Sequence, residues 1–371
     1  MDITCIPYHD WRKIQKEGSR TRDAHVISHL YKHKSVDRVL VINRPTTLTE
    51  ILLNKKGLKM DGTLVFKTGN CYLYKINDKL YVLDYLSNDL FGPIFKGKGW
   101  FFKSFGDKKL HEGYLSALKF LDFKDDYILT QNVFSANFIK AFADKRSIFD
   151  AWDNFLLFPE NKKFESEFRD AYKTLAIYSD EWITNSAKNI DFYNEHYSPK
   201  ACTLIKNGVD IDVFTKTYDK PEDLSKIKGP IIGFGGKITH LFNYDLFNYV
   251  TKENKDKNFV IVGQILDKSV FEKIDLTDNV FYLGDKNYSV YPKYVTNFNV
   301  GIVPYVTNDL EHGADSIKVY EYLAAGLNVV GTSGAGMQDM SSYISVAQNK
   351  EEFSKAVQIG VSRHSSRYDV S

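Results

Sequence analysis

Ile231-Ile-Gly-Phe-Gly-Gly-Lys-Ile-Thr-His240 carries an apolar run straight into paired glycines and a lysine. The run reads as a buried strand and the glycines as the turn that ends it. Without side chains, Gly235 and Gly236 let backbone N–H groups approach an anionic ligand, and a following helix start favours negative charge. Lys237 adds a point charge suited to a phosphate. The same residues also fit a tight strand-to-helix turn that binds nothing. Gly-x-Gly-x-x-Gly does not occur here, so the stretch is not the dinucleotide fingerprint.

Working outward, the same alternation of strand and helix extends in both directions. Downstream, Phe259–Val262, Val280–Leu283, Val300–Pro304 and Asn328–Gly331 read as strands, with helices near Asp245–Lys252 and from about Ser316 to Ala325. Upstream, Ile3–Pro7 and Arg38–Ile42 flank a helix expected from about Ser19 to His33. Asp126–Thr130, Ser147–Phe149, Glu181–Thr184 and Thr203–Ile205 continue the rhythm. This is the signature of an α/β sheet protein. Thr63–Thr68, Tyr72–Ile76 and Leu80–Leu86, separated by Gly69-Asn70 and Asn77-Asp78, predict a small antiparallel insertion in the first domain. Polar residues 215–228, interrupted by Pro221, read as a linker. The expected organisation is a first domain over 1–212, a linker over 213–228, a second domain over 229–350, and a terminal helix and tail over 351–371 that packs back on the first domain.

The composition fits this reading. A chain of 371 residues suits two domains, and 43% hydrophobic with 26% charged residues is globular. The net charge of +2 argues against a nucleic-acid-coating protein. Cys5, Cys71 and Cys202 are isolated from one another, which excludes a disulfide framework or zinc ribbon and fits a reduced, cytoplasmic setting. The first residues lack a signal-peptide pattern, and no apolar run approaches a membrane span. Aromatic residues are abundant at 15%, enough to supply both a core and sticky surfaces.

A second stretch bears on chemistry: Asn299-Val-Gly-Ile-Val-Pro-Tyr305, a polar loop, then Asp315-Ser-Ile-Lys-Val-Tyr-Glu-Tyr-Leu-Ala-Ala-Gly326. Asp315 or Ser316 suits an N-cap, and Gly326 a helix stop. Lys318 and Glu321 stand three apart on one face. They read either as an exposed ion pair or, on a helix apolar on most sides, as buried charges that need a ligand.

Taken together these motifs resemble a GT-B glycosyltransferase of the retaining family-four type, found among bacterial cell-surface polysaccharide enzymes. The resemblance rests on Glu181-Trp-Ile-Thr-Asn-Ser186, on Leu204-Ile-Lys-Asn-Gly-Val-Asp-Ile-Asp-Val-Phe214, on the glycine stretch, on Phe281-Tyr-Leu-Gly284 with Tyr291-Pro-Lys-Tyr294, and on Ile317–Gly326, all in order. It implies two Rossmann-like domains facing across a cleft, acceptor on the first and nucleotide sugar, most simply UDP-linked, on the second. Glu321 is then expected at the ribose hydroxyls. Lys237, Lys318 and the helix start at Asp315, Ser316 and Ile317 are expected at the diphosphate, with Gly235 and Gly236. Lys286 to Tyr288 are expected beside the base. In the first domain the resemblance puts Gly18 at the start of the first helix, near the diphosphate, and has Arg20 and Arg22 reach the cleft. Asp153, ahead of Asp150, takes the strand end near the sugar, where related enzymes often carry a histidine; structural capping by either aspartate is the competing reading.

Two departures stand out. In the family's Glu-x7-Glu pattern the first glutamate is replaced by Gly313, leaving Glu311, His312 or Asp315 as substitutes. A second basic residue after the phosphate loop is replaced by Phe242, leaving Lys318 to take its place. No metal or other cofactor is expected, because cations and helix N–H groups supply the charge and no Asp-x-Asp occupies a suitable loop. The expected partners are a nucleotide-sugar donor and a glycan or lipid-linked oligosaccharide acceptor, in capsule, O-antigen or wall-polymer synthesis. No nucleic acid is expected. The rivals are a catalytically silent glycosyltransferase-like subunit, a glycan-binding protein, or a nicotinamide enzyme, the last disfavoured by the missing fingerprint.

Three further features of the sequence carry weaker signals. His25, His29 and His33 share a helix face, but the outer two stand about 12 Å apart along it and cannot hold one ion. His9-Asp10 ends the first strand, where α/β ligands gather. Residues 91–124 are rich in lysine and aromatics, Trp100-Phe101-Phe102 among them. That strip reads either as a peripheral contact with an anionic membrane face or as a partly buried loop with a solvated helix.

Overall fold

The computed structural model describes residues 1–53, 60–124, 126–307, 315–334 and 336–363. The chain divides into two compact units, Met1–Ile205 and Lys206–Ser371.

The first unit holds one nine-stranded sheet. Its strands are β1 (Asp2–Ile6), β2 (Arg38–Ile42), β3 (Thr63–Thr68), β4 (Cys71–Lys75), β5 (Leu80–Tyr85), β6 (Tyr127–Thr130), β7 (Ser147–Asp150), β8 (Glu181–Thr184) and β9 (Cys202–Leu204). They lie in the order β3-β4-β5-β2-β1-β6-β7-β8-β9. From β5 to β9 every pairing is parallel, and β3 and β4 are antiparallel. The meander is therefore the sheet's own edge. Central β1 is buried throughout, as a parallel strand covered on both faces must be.

The helix expected over about Ser19–His33 forms as Arg22–Lys32, and a further helix that the sequence reading did not anticipate, Trp11–Glu17, precedes it. Gly18 separates them with a left-handed φ of 80°, its N–H closing on the Ile14 carbonyl. Gly18 thus caps the end of a helix and does not open one, a role glycine fills without a Cβ penalty.

Much of the aromatic surplus is core. Phe102 packs its ring 4.7 Å from Phe134 and 5.0 Å from Phe168, and Trp182 meets Phe149 at 4.9 Å. Trp100 is also buried, its indole N–H bonded to Asp89. The Trp100-Phe101-Phe102 triplet is therefore mainly interior.

Loops leaving β1, β2 and β5 are tied by a buried ionic network. Asp10 caps the Trp11–Glu17 helix by accepting from the Arg12 N–H at 3.0 Å. Both ends of the Arg12 guanidinium donate to Asp84, which also accepts from Asn43 at 2.8 Å. Asn43 Oδ1 takes the Trp11 N–H at 2.7 Å.

The second unit repeats the plan with a six-stranded, wholly parallel sheet. The strands are β10 (Ile231–Gly235), β11 (Asn258–Val262), β12 (Val280–Tyr282), β13 (Val300–Val303), β14 (Asn328–Thr332) and β15 (Ser345–Ala347). Their order is β12-β11-β10-β13-β14-β15, that of a dinucleotide-type doubly wound sheet. The stretch read as a linker packs here, since Phe214, Leu224 and Ile227 lie in this unit's core. The Lys350–Ser362 helix also belongs to this unit, with Phe353 and Val357 buried against its sheet. Residues 364–371 of the expected tail lie outside the described residues.

Asp84→Ala should strand the Arg12 charge and cost about 3–5 kcal/mol in urea unfolding of the first unit. The Arg12→Met, Asp84→Leu double variant should recover much of that loss. Equal stability of Asp84→Ala and wild type would remove the network from the account of this fold.

Candidate functional site

In a doubly wound sheet, ligands gather beyond the carboxyl ends of the strands where the strand order reverses. In the second unit that point lies between β10 and β13, and the residues singled out in the sequence converge on it. A Cβ on Gly236 would meet the Lys318 side chain at 2.8 Å, so the lysine lies against the bare glycine backbone. Lys318 Nζ donates to the Tyr305 hydroxyl and sits over the rings of Tyr305 and Phe234, 4.7 and 5.6 Å from their centroids. Its ammonium is oriented by these rings beside the glycine turn.

The glycine N–H groups have a different use from the one expected. Gly235 N–H donates to the Tyr322 hydroxyl at 2.7 Å, and Gly236 N–H to the Val262 carbonyl at 2.9 Å. Neither is available to cradle an anion. Both glycines serve by making room, Gly235 for the Tyr291 hydroxyl and Gly236 for Lys318. Lys237 follows them, partly buried.

Glu321 lies one turn beyond Lys318 on the Ile317–Ala324 helix and is buried. Its carboxylate accepts from the Tyr288 hydroxyl at 2.7 Å and from Tyr291. Burial raises its pKa, opposed by the Tyr288 hydrogen bond, the Lys318 charge and the Tyr291 hydrogen bond. At the start of the same helix Ser316 makes no side-chain cap, and its buried Oγ has no partner. A helix N-terminus with an unsatisfied hydroxyl beside a lysine is electropositive and suits an anion.

Other expected residues lie elsewhere. Lys286 pairs with Asp223 at 2.7 Å and covers the Tyr294 ring, a contact that holds the Glu222–Ser225 turn. Asp315 accepts from the Asn207 N–H at 2.6 Å and the Tyr320 hydroxyl at 2.8 Å, so it ties the Asn207 loop to the helix. Phe242, at the position where the sequence resemblance led us to look for a base, is buried with its ring 5.0 Å from Phe234. Glu311, His312 and Gly313 lie outside the described residues. Reading the sequence missed Tyr305 and Tyr322. It met Tyr291 only as part of a motif. A hydroxyl aligned with a glycine turn leaves no local pattern.

In the first unit the strand order reverses between β1 and β6. Past β1, His9 Nδ1 and its backbone N–H both contact Asp23 Oδ2, at 3.0 and 2.9 Å. Burial raises the Asp23 carboxyl, but the His9 charge and hydrogen bonds outweigh it and hold it well below the usual carboxylate range. Past β7, Arg22 grips Asp150 through Nε at 2.9 Å, and Gln131 donates to the same oxygen at 2.8 Å. Arg22 is thus a brace within this unit, also bonded to the Ile205 carbonyl, and Arg20 pairs with Glu17 at 2.9 Å. Asp153 differs from Asp150. Among the described residues its carboxylate makes no hydrogen bond or ion pair, while its backbone carbonyl accepts from Tyr193. Burial pushes the Asp153 carboxyl up to about 7, with Arg22 opposing and Asp150 adding to the rise. Around it Trp152, Tyr8 and Phe155 pack ring on ring. Among the described residues no group of three or more His, Cys, Asp and Glu side chains is arranged for a metal ion.

Comparison with known proteins adds to this geometry. No protein-family model matches the chain. Over 133 residues it is 26% identical to a Bacillus subtilis (strain 168) protein named "Putative teichuronic acid biosynthesis glycosyltransferase TuaH". That match covers 35% of this chain and spans about a third (34%) of the relative's length. Among solved structures, sucrose-phosphate synthase from Thermosynechococcus elongatus superposes with a TM-score of 0.69 at 12% identity, covering 98% of this chain and 90% of that one. An E. coli structure described as trehalose-6-phosphate bound with UDP-2-fluoro glucose gives 0.66 at 11% identity, covering 98% and 94%. A UDP-forming trehalose-phosphate synthase from Burkholderia xenovorans, in complex with glucose-6-phosphate, gives 0.66 at 12%, covering 98% and 95%. At these identities the likeness is one of fold, and the fold is GT-B.

Asp153 yields a pH-dependent test. A carboxyl whose folded pKa is raised from 3.8 to about 7 is protonated in the folded state over that interval and ionised in the unfolded one. Its stabilising contribution is complete below pH 3.8 and is lost as pH rises through 7. Wild type should therefore lose stability relative to Asp153→Asn between pH 4 and 8 in urea titrations. A difference independent of pH would show that Asp153 titrates as an ordinary surface carboxylate.

Proposed function

We propose that this GT-B chain is a glycosyltransferase that moves a sugar from a nucleotide-sugar donor, UDP-linked, to a glycan or lipid-linked acceptor in bacterial surface-polysaccharide synthesis. The observation that carries the reading is the convergence of Lys318, Glu321 and the Ser316 helix start on the glycine turn at the strand-order reversal of the second unit. The UDP-sugar analogue bound in one structural neighbour and the teichuronic acid role in the relative's name support the donor and the biological setting.

The chemistry follows from charge. When the sugar leaves a nucleoside diphosphate, negative charge grows on the bridging phosphate oxygen. Lys318, Lys237 and the helix start stabilise that charge more in the transition state than in the ground state. Glu321, an acceptor only when ionised, orients the ribose through its hydroxyls. Asp153 takes the sugar-side position in the first unit. Transfer proceeds with retention, the departing phosphate receiving the acceptor's proton, and the lysines make a divalent cation unnecessary. The core placement of Phe242 favours a second reading, a silent glycosyltransferase-like subunit that keeps the fold but lacks one phosphate contact. Donor hydrolysis separates the two, since only the enzyme releases sugar.

Lys318→Ala should lower kcat about 100- to 1,000-fold, the effect of losing one transition-state charge contact. Glu321→Ala should cut transfer by a comparable factor and weaken the thermal shift given by UDP. Both should keep the wild-type circular dichroism spectrum. EDTA should leave the wild-type rate unchanged. Near-normal turnover in both variants, measured by mass detection of released or transferred sugar, would sink the assignment.

A further inference from the structure

The first unit exposes an apolar cluster that neither core nor candidate site uses. On the short Leu48–Leu53 helix, Leu52 and Leu53 are each 68% exposed. On the Gly92–Lys96 turn of helix and the residue before it, Phe91, Ile94 and Phe95 are 55%, 53% and 83% exposed. The two segments touch, for the Thr49 hydroxyl donates to the Leu90 carbonyl. They form one patch. Single exposed apolar residues are ordinary, but two phenylalanines and three branched aliphatics on adjoining tips are not.

The surroundings say what covers it. Along residues 89–109 the chain carries Lys96, Lys98, Lys103, Lys108 and Lys109 against Asp89 and Asp107. Asp107 is spent as a helix cap, and Asp89 is engaged by Trp100 and Lys96. On the other segment Arg44 and Glu50 neutralise one another. Lys103, Lys108 and Lys109 remain exposed. Apolar tips followed along the chain by exposed lysines, the first on a helix that packs against the Gly92–Lys96 turn, fit the headgroup region of an anionic bilayer, where rings and aliphatic groups enter the acyl boundary and ammonium groups meet phosphates. A second copy of this chain would instead have to bring lysines against lysines.

Placement strengthens the reading. The two segments follow β2 and β5, while His9 and Asp153 follow β1 and β7. All four strands run parallel in one sheet. The patch, His9 and Asp153 therefore lie along the same edge of the same unit. We propose that this patch, Leu52, Leu53, Phe91, Ile94 and Phe95 with the flanking lysines, is a docking surface for an anionic lipid bilayer. It replaces the Trp100-Phe101-Phe102 triplet of the sequence reading, which is mostly interior. Docking itself does not depend on the proposed transfer reaction.

The test is flotation of the full chain, without nucleotide, on vesicles of equal phosphatidylglycerol and phosphatidylcholine and on phosphatidylcholine alone. Wild type should float with the anionic vesicles and at least tenfold less with the neutral ones. Phe91→Ser/Ile94→Ser/Phe95→Ser should reduce flotation at least tenfold, and Lys103→Glu/Lys108→Glu should make the residue of binding insensitive to salt. Ile177→Ser, an exposed apolar change elsewhere in the unit, should leave it unaltered. Should the triple variant misfold, Phe95→Trp supplies an independent readout, a blue-shifted emission component quenched by brominated lipid. No flotation of wild type, equal flotation of the triple variant, or a patch-dependent dimer seen by light scattering would each overturn the proposal. The UDP thermal shift, run in parallel, tells failure of docking from failure of the donor site.

Discussion

The second unit's site depends on a place where two backbones meet with no room for a side chain. A Cβ on Gly263 would stand 1.8 Å from the Gly236 carbonyl oxygen. That contact presses the turn after β10 onto the turn after β11, and the ladder continues past the strands, with Gly236 N–H on Val262 and Ile238 N–H on Gln264. Held there, Gly236 offers the bare surface on which Lys318 lies. An inserted methyl would cost about 1–3 kcal/mol and displace the lysine with the turn. Gly301 acts in the same way at one remove. Its missing side chain admits the Tyr322 ring, whose hydroxyl then takes the Gly235 N–H. The Lys318 ammonium is thus positioned by absences of side chains, and by tyrosines that fill the room left.

The first unit uses charge where the second uses glycine. Its loops at the carboxyl edge are tied by Arg12 to Asp84 and by Arg22 to Asp150, all four residues buried. Buried ion pairs add little net stability, because desolvation cancels most of their attraction. What they do is penalise any loop arrangement that leaves one partner alone. Asp153 owes its raised pKa to burial, and the second of these pairs leaves it raised: Arg22, committed to Asp150, opposes only part of the burial cost, and Asp150 adds to the rise.

The fold was legible in the sequence because parallel strands buried on both faces are written as continuous apolar runs. Ile231–Gly235 and Val300–Val303 fall where those runs predict. A helix ahead of the expected Arg22–Lys32 one escaped that reading for the opposite reason. Asp10 and Gly18 cap a seven-residue helix, Trp11–Glu17, too short for periodicity to reveal. The site was half legible. Lys318 and Glu321 stand out as charges on an apolar helix, whereas the commitment of Lys286 to Asp223 and of Asp315 to Asn207 are long-range events with no local signal. The aromatic strip misled because exposure is set by tertiary packing, which buries Trp100 and leaves Phe95 in water.

The arrangement on the Ile317–Ala324 helix also narrows what the site selects. An ionised carboxylate has about four acceptor positions, and at Glu321 two are taken by Tyr288 and Tyr291. The rest call for donors, and the negative charge of a phosphate is repelled there. A vicinal diol has two. The anion-seeking groups stand at the other end, Ser316 being five residues before Glu321, roughly 7.5 Å along the axis. A ligand that satisfies both ends must carry a diol and an anionic group separated by more than one helical turn. Free phosphate meets only one condition and a neutral glycan only the other. A nucleoside diphosphate meets both, so this helix supports the proposed donor class whatever sugar the donor carries.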